Sequence, residues 1–231
     1  AQLKEHEKCL KEYQKGKLLG TVEDCLTADA KDRVQKKKDK TVKDDNKFCV
    51  PLDPQPPFAY TGAQTVNDAA VEGPIDLIHA IFGNPVDPPR ITNTANKDTA
   101  KCQRKMLTEG NKVEDTVLKE LVNAKKKALK EKEPTDAQEL EDALAAILSS
   151  NTAITKKQDN LIKNVDKACA ALIAPPSDIF PGACSDGDLG NVEDCVIAAT
   201  RCQACLKINA FDDLSLSCDD LDDGTANLSC P

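Results

Sequence analysis

The chain has 231 residues and a formal net charge of −8; 30% of its residues are charged and only 3% are aromatic. With so few aromatic side chains, the apolar core must come from Leu, Ile, Val, Ala and Cys, which suits packed helices better than a sandwich or barrel. The acidic balance and the lack of aromatic platforms argue against nucleic acid as a partner. No apolar run approaches the roughly 20 residues that span a bilayer, so we expect no transmembrane segment.

The eleven cysteines are spread over the whole chain. A reducing cytosol would keep them as thiols, so we expect disulfide bonds and a secreted, extracellular location at the cell surface. The opening residues, "AQLKEHEKC", show no signal-peptide pattern. From this we expect that any leader has already been removed.

Charge and cysteine content divide the chain into four segments. Residues 1–49 hold 13 basic and 10 acidic side chains, whereas residues 170–231 hold two basic and 11 acidic ones. We expect a mostly α protein of disulfide-stapled helical hairpins with a Pro-rich connector and a small Cys-rich C-terminal knot. The predicted segments are a helical hairpin over 1–49, Pro-rich chain with short helices over 50–94, a long antiparallel helical hairpin over 95–175, and an acidic disulfide knot over 176–231.

A short phrase recurs along the chain: "GTVEDC" at 20–25, "GNVEDC" at 190–195 and "GNKVEDT" at 110–116. In the first two copies Gly ends a turn, Thr21 or Asn191 caps a helix, and the two acids suit the positive helix start. We therefore expect a helix over 2–15 and a second from Thr21 to about residue 48. The third copy is predicted to lie within a continuing helix.

Proline is concentrated between residues 51 and 89, which predicts extended connectors around one or two short helices. The second of these helices is expected to begin at Pro74. Its apolar residues are flanked by prolines, and we interpret them as a candidate docking interface. They are Ile75, Leu77, Ile78, Ile81 and Phe82.

Two long helices are predicted over 97–131 and 136–173, separated by the turn "EKEPTDAQ". The first keeps Cys102, Met106, Val113, Val117, Leu121, Ala124 and Ala128 on one face. The second keeps Leu140, Leu144, Ile147, Ile154, Leu161, Val165, Ala168 and Leu172 at close to heptad spacing. Thr135 or Asp136 is expected to cap the second helix.

Hairpin geometry predicts two disulfides, because residues equidistant from the turn of an antiparallel pair face each other. Cys102 and Cys169 are centred on the long turn, and Cys9 and Cys25 on "KGKLLG". In the tail, Cys195, Cys202 and Cys205 share one helix face, opposite loop cysteines Cys184, Cys218 and Cys230. Cys49 is left as the odd cysteine.

The sequence also leaves open a redox or metal-binding role for the cysteines and aspartates of the tail. "CQAC" at 202–205 has thiol redox spacing, and Cys195, Cys202, Cys205 and Cys218 could hold zinc. "CDDLDDGTANLSC" fails the EF-hand register, but a looser calcium site could use Asp219, Asp220, Asp222 or Asp223. We expect disulfides and no cofactor, with calcium as the alternative. "NLS" at 227–229 is a glycosylation sequon.

The remaining charged and titratable residues suggest no catalytic centre. The lysine runs at 36–40 and 125–127 are interpreted as solvated helix faces, with contact to an anionic glycan or lipid as the alternative. His6 and His79 stand near no nucleophile pair. Without a nucleophile–base pair, phosphate-binding loop or metal cluster, we expect no enzymatic activity.

Several stretches resemble uncharacterised secreted proteins of Gram-negative bacteria that are cysteine-bearing, Lys/Ala-rich and built of helical repeats. They include "EKCLKEYQKGKLLGTVEDC", "PPFAYTGAQTVNDAAVEGPIDLIHAIFG" and "CQACLKINAFDDLSLSC". The resemblance supports the compartment and the repeat, and it implies no activity. We expect an extracellular structural protein, a self-associating subunit of a surface layer or filament. The alternative is a secreted binding module for a glycan, a metal ion or a partner protein.

Overall fold

The computed structural model describes residues 1–86, 96–131, 134–172, 174–185, 187–222 and 230, and these include all eleven cysteines. Over these residues the chain is mostly helical and contains no strand, which confirms the predicted fold class. In chain order the helices are α1 (Gln2–Gln14), α2 (Val22–Thr27), α3 (Arg33–Phe48), α4 (Gly62–Phe82), α5 (Lys97–Glu131), α6 (Ala137–Ser149), α7 (Thr152–Cys169), α8 (Pro176–Ile179) and α9 (Leu189–Asp212), followed by a 3₁₀ turn at Asp219–Leu221.

The long hairpin forms as predicted, with α6 and α7 both packed on α5. At about 1.5 Å per residue, the 35 residues of α5 extend roughly 50 Å. The "GNKVEDT" phrase lies inside this uninterrupted helix, as expected. The predicted faces of both arms are buried, apart from Ala124, Ile147 and Leu172, which are partly buried.

The second arm is not one helix, contrary to the sequence interpretation. It breaks at Ser150, and Asn151 caps α7 by accepting hydrogen bonds from the amides of Ala153 and Ile154. An Asn side chain competes with the backbone for such amides, so it favours a new helix start over a continuing one. At the turn itself, Asp136 caps α6 by accepting from the Glu139 amide at 3.0 Å, as predicted.

The N-terminal segment also differs from the predicted simple hairpin. Thr21 caps α2 as expected, accepting from the Asp24 amide at 3.0 Å. The helix then stops at Thr27 instead of continuing to residue 48, because Asp29 accepts from the amides of Arg33 and Gln35 and starts α3 anew. As a result α3 packs on α4, while α1 packs on α2, α4 and α5.

Helix α4 continues straight through Pro74, which was expected to begin a helix. A proline inside a helix removes one backbone hydrogen bond and normally costs about 3 kcal/mol. Here the surrounding turns are buried against α9, whose packing offsets this loss.

One hydrophobic core joins all four predicted segments, since it includes side chains from residues 9–26, 77–86, 102–169 and 179–218. Because α4 and α5 both pack on α9, the helices of the N-terminal, Pro-rich, central and C-terminal segments share their buried surface. None of the helices in the described ranges is long and apolar enough to cross a bilayer.

Five disulfides tie this core together. Cys9–Cys25 and Cys102–Cys169 form as the hairpin geometry predicts, and the second closes the open end of the long hairpin. In the tail, the three helix cysteines each bond a loop cysteine, giving Cys184–Cys195, Cys202–Cys230 and Cys205–Cys218. The cap of α9 is Asp188, which accepts from the Asn191 amide, so the prediction that Asn191 caps this helix is wrong.

Candidate functional site: a cationic groove between α1 and α5

Helix α1 lies antiparallel on the N-terminal half of α5. Near one end, the side chain of Gln14 donates to Gln103 at 3.2 Å and accepts from Arg104. Near the other, the Asn111 amide group donates to Glu7 at 2.8 Å. These polar contacts fix the register of the two helices, and between them runs a groove of about 470 Å³.

Basic side chains dominate the walls of this groove. Those on α1 are spaced at i, i+4 and i+7, and those on α5 at i, i+3 and i+4, so each set shares one helix face. Glu7 is the one acidic residue among the groove's lining, and Leu10 and Leu107 form its buried floor. The cations are Lys4, Lys8 and Lys11 on α1, and Lys101, Arg104 and Lys105 on α5.

Only part of this positive charge is neutralised by the protein. Lys8 pairs with Glu5 and Glu12, and Lys105 pairs with Glu109 at 3.3 Å. Within the described residues, three further lysines of the groove have no ion-pair partner and are exposed: Lys4, Lys11 and Lys101.

The groove can therefore bind an extended anion through several contacts at once. Flexible lysine ammonium groups hold anionic oxygens as point charges, and clustering them raises the local concentration of an anionic ligand. Nothing in the groove is arranged as a nucleophile with an adjacent base. Its chemistry is that of anion binding.

Sequence reasoning missed this groove, because its two halves lie about 90 residues apart and each is mixed with acids along the chain. The spacing of Lys4, Lys8 and Lys11 was visible as one helix face, but its neighbour was not. The lysine runs that the sequence did single out lie elsewhere. Residues 36–40 belong to α3, which has no buried residue, and Lys125 pairs with Asp212.

The prediction that the apolar residues of α4 form a docking interface is wrong, because they are not on the surface. Leu77, Ile78, Ile81 and Phe82 have no exposed area, and Ile75 is partly buried. The Phe82 ring lies 6.1 Å from that of Phe180, and the backbone around Gly182 closes over the end of α4. The segment is apolar because it forms the centre of the core.

Four exposed apolar residues instead lie close in sequence to Cys49, the one cysteine outside a disulfide. Beside it lies a cleft of about 390 Å³ that includes Tyr60 and Asp45, whose carboxylate accepts from the tyrosine hydroxyl at 3.0 Å. Burial raises the pKa of the Cys49 thiol, and the charge of Asp45 raises it further. The exposed apolar residues are Val42, Phe48, Val50 and Leu52.

The predicted metal ligands of the tail can be located only in the part that the structure describes. All four cysteines of the zinc alternative are disulfide-bonded, and Cys202 and Cys205 bond different partners and not each other. Asp219 is buried and Asp220 exposed. Asp222 lies near the sulfurs of the Cys202–Cys230 bond. Asp223 and the sequon at 227–229 lie outside the described residues, and the calcium site stays a prediction.

The two histidines contact groups that hold neighbouring helices together. His6 is buried, with its Nε2 3.2 Å from the Leu26 carbonyl oxygen, and burial lowers its pKa to about 4. His79 contacts Glu23 at 3.0 Å, and Glu23 also accepts from the Val86 amide. His6 thus joins α1 to α2, and His79 joins α4 to α2; neither lines the groove.

No protein-family model matches the chain, and no curated protein or solved structure is significantly similar to it. The resemblance to secreted helical-repeat proteins therefore stays a prediction.

Proposed function

We propose that the protein is a secreted binding module for an anionic glycan, which it holds in the cationic groove between α1 and α5. The observation that carries the proposal is the gathering of six basic side chains against a single acid, in a chain whose net charge is −8. Helix α3 is also rich in lysine, but its basic side chains lie on one exposed helix, whereas those of the groove come from two helices and face each other across it.

The groove favours a glycan over a nucleic acid. Proteins that bind single strands stack bases on aromatic side chains, and proteins that bind duplexes present a broad basic face to the phosphates. Here the floor is aliphatic, and no aromatic residue lines the groove. Sulfate or carboxylate groups along a polysaccharide need only the regularly spaced ammonium groups that the two helices present.

The extracellular location is part of the same proposal. Five disulfides with one remaining thiol in eleven cysteines are typical of oxidising compartments. Anionic polysaccharides are present at cell surfaces, where a secreted protein with a basic groove would encounter them.

Binding of a heparin-derived octasaccharide, measured by calorimetry at low and at physiological salt, tests the proposal. Replacing Lys4, Lys11 and Lys101 together by Gln should weaken binding at least ten-fold, since each exposed charge contact contributes roughly 0.5–1 kcal/mol. Affinity of the wild type should fall as salt rises, because screening weakens exposed charge pairs.

The matched control replaces Lys36, Lys37 and Lys40 on α3 by Gln, which changes the net charge by the same amount on an exposed face. This variant should bind within about two-fold of the wild type. Equal losses in both variants would mean that net charge alone governs binding, and the groove would not be the site.

A second candidate function is assembly through the face around Cys49, as a structural subunit. It is favoured by the four exposed apolar side chains around the only free thiol: Val42, Phe48, Val50 and Leu52. In a two-fold dimer the same patch meets itself, so one copy's Cys49 can face the other's. Two thiols then become one disulfide, and their two electrons and two protons pass to an oxidant such as oxidised glutathione.

Non-reducing electrophoresis after oxidation with glutathione tests this second candidate. A covalent dimer should form in the wild type and be lost in Cys49→Ser. Replacing Phe48 by Ser keeps the thiol but removes apolar area, and should slow dimer formation. A wild type that forms only the mixed disulfide with glutathione would contradict assembly at this face.

A further inference from the structure

Lys207 is buried where three helices meet. It lies on α9, has 5% of its side chain exposed, and forms an ion pair with Glu114 of α5, whose side chain is 2% exposed. The third helix is α4, where Gly73 faces the lysine. A methyl group at Gly73 would overlap Cε of Lys207, so the absence of a side chain there makes room for the lysine.

The pair borders a small cavity of about 150 Å³, lined also by Ala70, Leu118 and Phe211. At roughly 30 Å³ per water molecule, this space holds about five water-sized groups. The second carboxylate oxygen of Glu114, Oε2, is buried and has no hydrogen-bond partner within the described residues. A buried acceptor without a partner is costly, and a group in the cavity that carries an N–H or O–H would satisfy it.

Charged groups around the cavity are mainly acidic. Asp115 lines it, and Asp76 interacts electrostatically with Lys207. Ala1 also borders it. Burial lowers the pKa of Lys207 to about 7, with Asp76 opposing the shift. Burial therefore makes this amine easier to deprotonate than an ordinary lysine, whose pKa is about 10.4.

We propose that Lys207 is a covalent binding site for a small uncharged aldehyde or ketone, which enters the cavity and forms an imine with the Nζ atom. The size of the cavity excludes bulky carbonyl compounds. The neighbouring carboxylates disfavour anionic keto acids.

The step balances without an oxidant. A proton moves from Nζ to Glu114, which gives a free amine and a neutral acid within one buried pair. The nitrogen lone pair attacks the carbonyl carbon to form the C–N bond, and the carbonyl oxygen takes the proton from Glu114. A second proton lost from nitrogen accompanies departure of this oxygen as water. Glu114 is left as a carboxylate beside the protonated imine.

Trapping with propanal and cyanoborohydride at pH 7, followed by peptide mass spectrometry, tests the proposal. Propanal has four non-hydrogen atoms and fits the cavity. The rate of propylation at Lys207 should exceed that at every other lysine by at least ten-fold. The internal control is Lys125, a partly buried lysine paired with Asp212. Modification of Lys207 no faster than that of Lys125 would overturn the proposal.

Two further measurements separate a binding site from an accidentally reactive amine. Pyridoxal phosphate, which is too large and anionic, should not compete with propanal at Lys207; competition would overturn the size and charge argument. In Glu114→Gln the amine remains but its acid is gone, so labelling at Lys207 should slow at least ten-fold. An unchanged rate would remove Glu114 from the mechanism and contradict the proposal.

Discussion

At the residue scale, Gly182 shows how closely a loop approaches a helix. Its amide donates to the Ile81 carbonyl at 3.2 Å, and the Cys184 amide donates to that of Ala80 at 3.0 Å. A Cβ at position 182 would overlap the carbonyl group of Ala80. The loop thus follows the end of α4 at a distance that only glycine permits, and the Cys184–Cys195 bond holds it there.

Replacing Gly182 by Ala should lower the free energy of unfolding by about 2 kcal/mol or more, because overpacking against backbone cannot be relieved by a rotamer change. Urea denaturation measures this loss. Ser185→Ala, at an exposed position in the same loop, serves as the control and should change stability by less than about 0.5 kcal/mol. Equal stability of the two variants would contradict the close packing.

Glu193 of α9 is a buried acid with 2% of its area exposed. Burial, together with the charges of Asp166 and Asp194, raises its pKa to about 8. The folded state therefore holds this proton up to about pH 8, whereas the unfolded chain releases it near the ordinary value of 4.5. Since the folded state binds more protons in this window, the contribution of Glu193 to stability is present at low pH and is lost as pH rises.

Glu193→Gln removes this titration. The wild type should lose up to about 4 kcal/mol of stability from this group between pH 5 and pH 9, a loss that the variant should not show. The measurement is urea denaturation at both pH values, with Asp142→Asn, at an exposed position on α6, as the control that should show no such trend. A stability difference that stays constant with pH would show that Glu193 titrates normally.

At the element scale, disulfides support a core that holds few large aromatic side chains. The Cys102–Cys169 bond closes a loop with a sequence separation of 67, and the Cys9–Cys25 bond one of 16. A crosslink that closes a longer loop removes more conformational entropy from the unfolded chain. The bond across the long hairpin should therefore stabilise the protein more.

Two double variants test this difference. On the chain-entropy estimate, replacing Cys102 and Cys169 by Ala should cost about 4 kcal/mol, and replacing Cys9 and Cys25 about 3 kcal/mol. Chemical denaturation of both variants beside the wild type gives the comparison. The opposite order would mean that local packing, and not loop length, determines what these bonds contribute.

The sequence predicted the elements whose signals are local. The apolar spacing of α5, the caps at Thr21 and Asp136, and the centring of Cys102 and Cys169 on one turn depend on residues near each other or on one hairpin. It failed where two local preferences compete. The apolar pattern of 136–173 favours one helix, but Asn151 captures the amides of a new one.

At the scale of the whole molecule, pairing between distant helices could not be predicted. The spacing of Lys4, Lys8 and Lys11 marks a helix face but not the helix beside it. The packing of α1 on α5 creates the cationic groove. The same limit explains the wrong prediction of a docking interface on α4. An apolar run has the same sequence pattern whether it lies on the surface or in the core, where Ile78 and Phe82 are buried.

The central claim is that this acidic protein presents its anion-binding site in one groove. Acetylation of lysines, read by mass spectrometry with and without a saturating heparin-derived octasaccharide, tests it most directly. Lys4, Lys11 and Lys101 should be protected several-fold, while Lys36, Lys37 and Lys40 should react as in the free protein. Protection of the α3 lysines, with the groove lysines unchanged, would contradict the claim.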